Sequence, residues 1–191
     1  MAEAGTAQDG SQAASDAPNQ QAVSEDGPLA AYRALRRRGE LAADPAQELA
    51  AEKLESLHHA LTNYQPKAPG GWKARLGLSR RPETPPQGLY LYGDVGRGKS
   101  MLMDLFHQRA PVTAKRRVHF HAFMAEVHDR LHAWRQATQG TKADPLPQLA
   151  HEIAQENWLL CFDEFHVVNV ADAMILGRLF EALFEAGVVV V

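Results

Sequence analysis

The feature that most constrains this 191-residue chain is an eight-residue run, Gly93-Asp94-Val95-Gly96-Arg97-Gly98-Lys99-Ser100. It fits the pattern G-x-x-x-x-G-K-[ST]. The apolar run Leu89–Tyr92 before it predicts a short strand, and the segment from Lys99 to about Arg109 predicts a helix. Glycines permit conformations that turn successive N–H groups inward, and a helix start adds its dipole and free N–H groups. Such a loop cradles phosphates. Lys99 supplies a compact positive charge for β/γ-phosphates, and the Ser100 hydroxyl can ligate Mg²⁺.

The rest of the chain repeats the strand–helix rhythm. A second strand is expected over Arg117–Phe123, followed by a helix from about Met124 to Gln136. A loop over Gly140–Pro147 precedes a helix ending at His151–Glu156, and Asn157–Phe162 reads as a third strand. A helix from Ala171 to Ala186 leads past Gly187 into a fourth strand, Val188–Val191. This alternation predicts a parallel sheet covered by helices, the α/β architecture of a P-loop NTPase. The chain stops inside its fourth strand, so a fragment of a longer protein is expected.

Trp158–Glu164 is an apolar strand ending in two carboxylates. An open α/β sheet binds ligands at the carboxyl edge of its strands, which is where such a strand delivers Asp163. There Asp163 would orient Mg²⁺ through its water shell, and Glu164 would polarise a water as general base. Lys99 and Glu164 are therefore the catalytic candidates, residues 93–100 the nucleotide-binding ones, and Ser100 and Asp163 the metal ligands.

Upstream, Pro28–Glu40 predicts a short helix, with Arg36–Arg38 suiting its C-terminal end. Asp44 as N-cap, Pro45 at the first helical position and Gln47 at the capping-box position open a second helix. Its stripe of Leu49, Leu54, Leu57 and Leu61 runs to about Asn63. Residues 1–27 hold five acids and no Lys or Arg, so the formal charge of −3 leaves residues 28–191 at +2. With almost nothing to bury, that segment reads as a disordered acidic tail. Four units follow: the tail (1–27), a helical segment (28–65), a Pro/Gly-rich basic linker (66–86) and a partial ATPase domain (87–191). The linker carries Trp72 among Lys67, Lys73, Arg75, Arg80 and Arg81; so small a patch reads as a solvated linker rather than a nucleic-acid contact.

Other chemistries are excluded by spacing. His119 and His121 share a strand face in this reading, and His128 and His132 lie one turn apart, but neither pair has the further ligands a metal centre needs. His151-Glu152 fails the H-E-x-x-H pattern at Gln155. Gly77-Leu78-Ser79 lacks the glycine that would complete a nucleophile elbow. Cys161, the sole cysteine, reads as an inert buried thiol and fits a reducing compartment. No apolar run reaches the ~20 residues of a membrane span and no secretory signal is present, so the cytoplasm is the expected location.

Leu89–Asp104 (LYLYGDVGRGKSMLMD), Val118–Leu131 (VHFHAFMAEVHDRL) and Leu160–Leu176 (LCFDEFHVVNVADAMIL) resemble the ZapE family of bacterial cell-division ATPases and its mitochondrial relatives, within the AAA+ superfamily. The likeness extends over Tyr32–Leu41 and the helix Pro45–Asn63. It implies ATP binding and hydrolysis with Mg²⁺, homo-oligomeric assembly of the full-length protein, and action at the division ring on the tubulin-like division protein. Residues 93–100 then correspond to the Walker A loop, Asp163 to the metal aspartate and Glu164 to the catalytic glutamate. Asn169 and His166 depart from the family pattern, which bears on the start of the helix after the carboxylates. The sensor 1, arginine-finger and sensor 2 positions would lie beyond Val191, so the 191 residues are expected to be incomplete for turnover even where they bind ATP. Two other functions compete: a nucleotide-dependent nucleic-acid clamp of the helicase-loader type, supported by the basic linker alone, and a small-molecule kinase, which has no need of Glu164.

Overall fold

The computed structural model describes residues 27–64, 84–138 and 143–191. Three strands form one parallel sheet in the order β1 (Lys115–His119), β2 (Leu159–Asp163), β3 (Val189–Val190). Arg117 pairs with Cys161 and His119 with Asp163, while Leu159 pairs with Val189. Helices cover both faces. On one side lie α1 (Pro28–Arg37), α2 (Pro45–Thr62) and α3 (Lys99–Arg109); on the other, α4 (Phe120–Ala137), α5 (Leu146–Glu156) and α6 (Val170–Glu185).

Side-chain alternation in β2 explains the two layers. Leu159 and Cys161 pack with Tyr32, Leu54, Leu61 and Phe106 beneath α1–α3. Leu160 and Phe162 pack with Phe123, Val127, Leu179 and Leu183 beneath α4–α6. All four are buried, so β2 is the central strand and both cores are built on it. Among the described residues no helix is long and apolar enough to cross a membrane.

The helix signals are met with two exceptions. Asp44 Oδ1 caps α2 by accepting from the N–H groups of Ala46 (2.9 Å) and Gln47 (3.4 Å). No capping box closes, however, because the Gln47 side chain reaches outward to the backbone of Arg97. Leu49 leaves the apolar stripe, being 56% exposed, while Ala51 joins it. The cationic end of α1 is not merely solvated, since Arg36 pairs with Glu48 of α2 at 2.8 Å.

Strand boundaries differ more. The second expected strand ends at His119, because Phe120, Phe123, Met124, Val127 and Leu131 fall at helical spacing and are buried together in α4. His121 consequently sits in a helix and shares no strand face with His119. The helix expected to end at His151–Glu156 begins at Leu146, with Asp144 accepting from its N–H at 3.2 Å, so the helix starts inside the expected loop Gly140–Pro147. The tail and most of the basic linker, Trp72 included, lie outside the described residues.

Leu89–Tyr92 forms no strand. It runs beside β3, and the Leu89 N–H donates to the Val190 carbonyl at 3.1 Å. Val189 and Val191 direct their N–H groups to Trp158 and Leu160 of the β2 side, so Val190 is the residue of β3 facing this segment. One facing residue does not sustain a ladder. Gly88 allows the approach, since a Cβ there would fall on the Val190 carbonyl oxygen.

Candidate functional site

The phosphate-loop sequence folds as the turn between residues 87–92 and α3. Gly93, Gly96 and Gly98 take φ of 147°, 80° and 79°. Nothing stands within 4 Å of a Cβ built on Gly93 or Gly96, so the backbone conformation, and not space, requires glycine there. Gly98 is the N-cap of α3, and its carbonyl accepts from Leu102 N–H at 3.0 Å. Lys99 folds back over the loop, and its Nζ donates to the carbonyls of Gly93 (2.7 Å) and Asp94 (2.8 Å).

Across the cleft, β2 ends at Asp163. Glu164 follows at φ 54°, the one non-glycine residue with positive φ among the described residues. That left-handed conformation costs an L-residue about 1–2 kcal/mol, and it turns the chain sharply after the strand. The Glu164 side chain is thereby left exposed beside the buried sheet edge.

A cavity of about 610 Å³ lies between the glycine loop and the end of β2; Gly93, Lys99, Ser100, Asp163 and Glu164 line it, with Tyr90 and Phe165 among the aromatic wall. Five of the sequence-predicted residues therefore converge. Asp94, Val95, Gly96, Arg97 and Gly98 do not line it; they form the rim, where Val95 is 99% exposed. Ser100 and Asp163 offer hard oxygen donors, which fit Mg²⁺. Among the described residues no group of three His, Cys, Asp or Glu side chains is placed to hold a metal ion by itself.

Two groups at this site escaped the sequence reading. Arg117 Nε and Nη2 donate to Asp163 Oδ2 and Oδ1 at 2.7 and 3.0 Å, and its Nη1 bonds Asp104 of α3. A cation in a strand beside one that ends in an acid was the available signal. At the rim, Arg97 pairs with Asp44 at 3.1 Å and its carbonyl accepts from Gln47 Nε2 at 3.2 Å, so the start of α2 is fastened to the loop. No local pattern announces that contact.

The remaining candidates fall away from the cavity. His128 pairs with Asp172 at 2.7 Å, and His132 contacts Gln136. Burial pushes the Cys161 thiol up to about 12, which keeps it protonated and inert. Asn169, where the family pattern has another residue, caps α6 by accepting from Ala171 N–H at 2.8 Å.

A parallel sheet with helices on both faces and a glycine loop opening a helix at its carboxyl edge defines a P-loop NTPase-like α/β fold. Residues 27–191 match the model of the AFG1-like ATPase family, and the chain belongs to that family. It is 42% identical to the cell division protein ZapE of Escherichia coli K12 over 171 residues, covering 86% of this chain and 44% of that protein. It is 40% identical to lactation elevated protein 1 homolog B of Danio rerio, over 84% of this chain and 40% of that one. An uncharacterized protein of Schizosaccharomyces pombe is 39% identical over 85% of this chain and 41% of its own length. The chain thus spans about two fifths of the length of these relatives. No solved structure matches it significantly.

Proposed function

We propose that this chain carries the nucleotide site of an AAA+ ATPase that binds ATP with Mg²⁺ and hydrolyses it. The observation that carries the reading is the convergence of Lys99, Ser100, Asp163 and Glu164 on one cavity from two separate parts of the chain, the glycine loop opening α3 and the end of β2. Lys99 has its ammonium on loop carbonyls, which are weak partners for a full charge, so phosphate oxygens exchange with them readily. The loop N–H groups and the start of α3 hold the phosphate chain. Ser100 and Asp163 would hold Mg²⁺, which would supply charge neutralisation at the phosphates when bound. Glu164 accepts the proton of the attacking water as the new P–O bond forms and the bond to the ADP leaving oxygen breaks.

The likeness to the cell division protein ZapE supports a role in cell division; action at the division ring, with the tubulin-like division protein as partner, is the finer part of the same proposal. Assembly into a homo-oligomer and a cytoplasmic location belong to the same reading. Binding is tested on this chain and turnover on the full-length protein that contains it. Lys99→Ala should weaken binding of a fluorescent ATP analogue by about 10- to 100-fold, the scale of hydrogen bonds to a charged group. Glu164→Gln should keep binding and lower phosphate release by about 10²- to 10⁴-fold. Parental turnover in Glu164→Gln would place the base elsewhere.

A further inference from the structure

We infer that Arg117 is a positioning residue of the nucleotide site, holding the Asp163 carboxylate until a divalent cation takes it and passing then to Asp104. The inference rests on the reading of Asp163 as the metal carboxylate.

Three observations support it. Arg117 spans both oxygens of Asp163 with a planar fork, the geometry in which guanidinium and carboxylate match best. Its remaining terminal nitrogen is already bonded to Asp104, which lies on α3 five positions after Lys99. The two acids differ in setting: the Asp163 side chain is 15% exposed and that of Asp104 51%. Arg117 thus stands between an inner and an outer carboxylate and can release Nε and Nη2 while Nη1 keeps its partner.

Lys99 is arranged in the same way, its charge resting on loop carbonyls. Lys99 on the cavity wall and Arg117 on Asp163 are therefore both held by protein oxygens. A guanidinium fork and the water shell of Mg²⁺ compete for the same carboxylate oxygens, and two cations about 5 Å apart repel even at protein-like screening. Arg117 keeps Asp163 ordered and compensated before metal arrives, and it sets the Mg²⁺ concentration at which the site fills.

The experiment measures the half-saturating Mg²⁺ concentration for enhanced binding of fluorescent ADP to the full chain, with thermal unfolding of each variant as a folding control. Arg117→Gln should lower that concentration about tenfold. Arg117→Lys, which keeps the charge but cannot span both oxygens, should lower it as well. Asp104→Asn should raise it about threefold, and should change nothing further when added to Arg117→Gln. A parental value in Arg117→Gln or Arg117→Lys overturns the inference, as does an Asp104→Asn effect that persists without Arg117. If Arg117→Gln does not fold, Arg117→Lys and Asp104→Asn decide the matter. If Asp163→Asn leaves the Mg²⁺ response intact, or Lys99→Ala leaves ADP binding intact, the underlying site reading fails and the inference falls with it.

Discussion

Gln47 Nε2, on the first turn of α2, donates at 3.2 Å to the backbone carbonyl of Arg97, fifty positions further along the chain. The helical layer formed by α1 and α2 is thus fastened to the glycine loop one residue before Gly98. The Gln47 Oε1 atom is buried without a hydrogen-bond partner among the described residues, so its amide is held for this one contact at some cost.

Gln47→Ala should therefore leave the unfolding midpoint nearly unchanged and weaken nucleotide binding about fivefold, the equivalent of one net hydrogen bond. Titration with a fluorescent nucleotide, paired with thermal unfolding, reads both quantities. Unchanged affinity would mean that the loop holds its shape without α2.

Glu164→Gly should separate stability from turnover. Glycine takes φ near 54° without the Cβ clash that a glutamate meets there. Folding stability should rise by about 1 kcal/mol, measured by urea unfolding, while phosphate release falls as it does in Glu164→Gln. A loss of stability would show that the Glu164 side chain supports the turn.

Gly88→Ala should destabilise the chain by about 2 kcal/mol, because a methyl group at this position falls on the Val190 carbonyl oxygen and backbone atoms must move apart. The displaced segment leads directly into the phosphate loop, so nucleotide affinity should drop in parallel. Urea unfolding and nucleotide titration of the same preparation test the coupling.

The Cys161 thiol predicts a pH dependence. Buried, it keeps its proton up to about pH 12, whereas the unfolded thiol releases its own near the ordinary value of 9.0. The folded state binds more protons across that interval, so this group lowers stability as pH rises from about 9 to about 12 and has no effect below it. The slope is on the order of 1 kcal/mol per pH unit relative to Cys161→Ala. Urea unfolding of both proteins at pH 8 and pH 10.5 gives the difference, and a thiol reagent should modify Cys161 only after unfolding.

Local chemistry was legible in the amino-acid order. The phosphate loop and its helix stand where the glycine pattern predicts them, since positive φ at Gly93, Gly96 and Gly98 is a property of those residues and their neighbours. The Asp44 cap, the apolar β2 strand and Asp163 at its end were likewise readable, because periodicity and capping act over a few positions. Contacts across the sheet decided the rest. Leu89–Tyr92 has the composition of a strand but meets one outward-facing residue of β3, and Tyr90 and Tyr92 stay 69% and 85% exposed. Phe120 follows a strand-like run yet starts α4, because its burial with Phe162 and Phe165 outweighs local β preference. Arg117 and Asp163 lie 46 positions apart, and Gln47 and Arg97 fifty. Such pairs depend on the strand register and on how helices dock, quantities that exist only once the two cores have closed around β2.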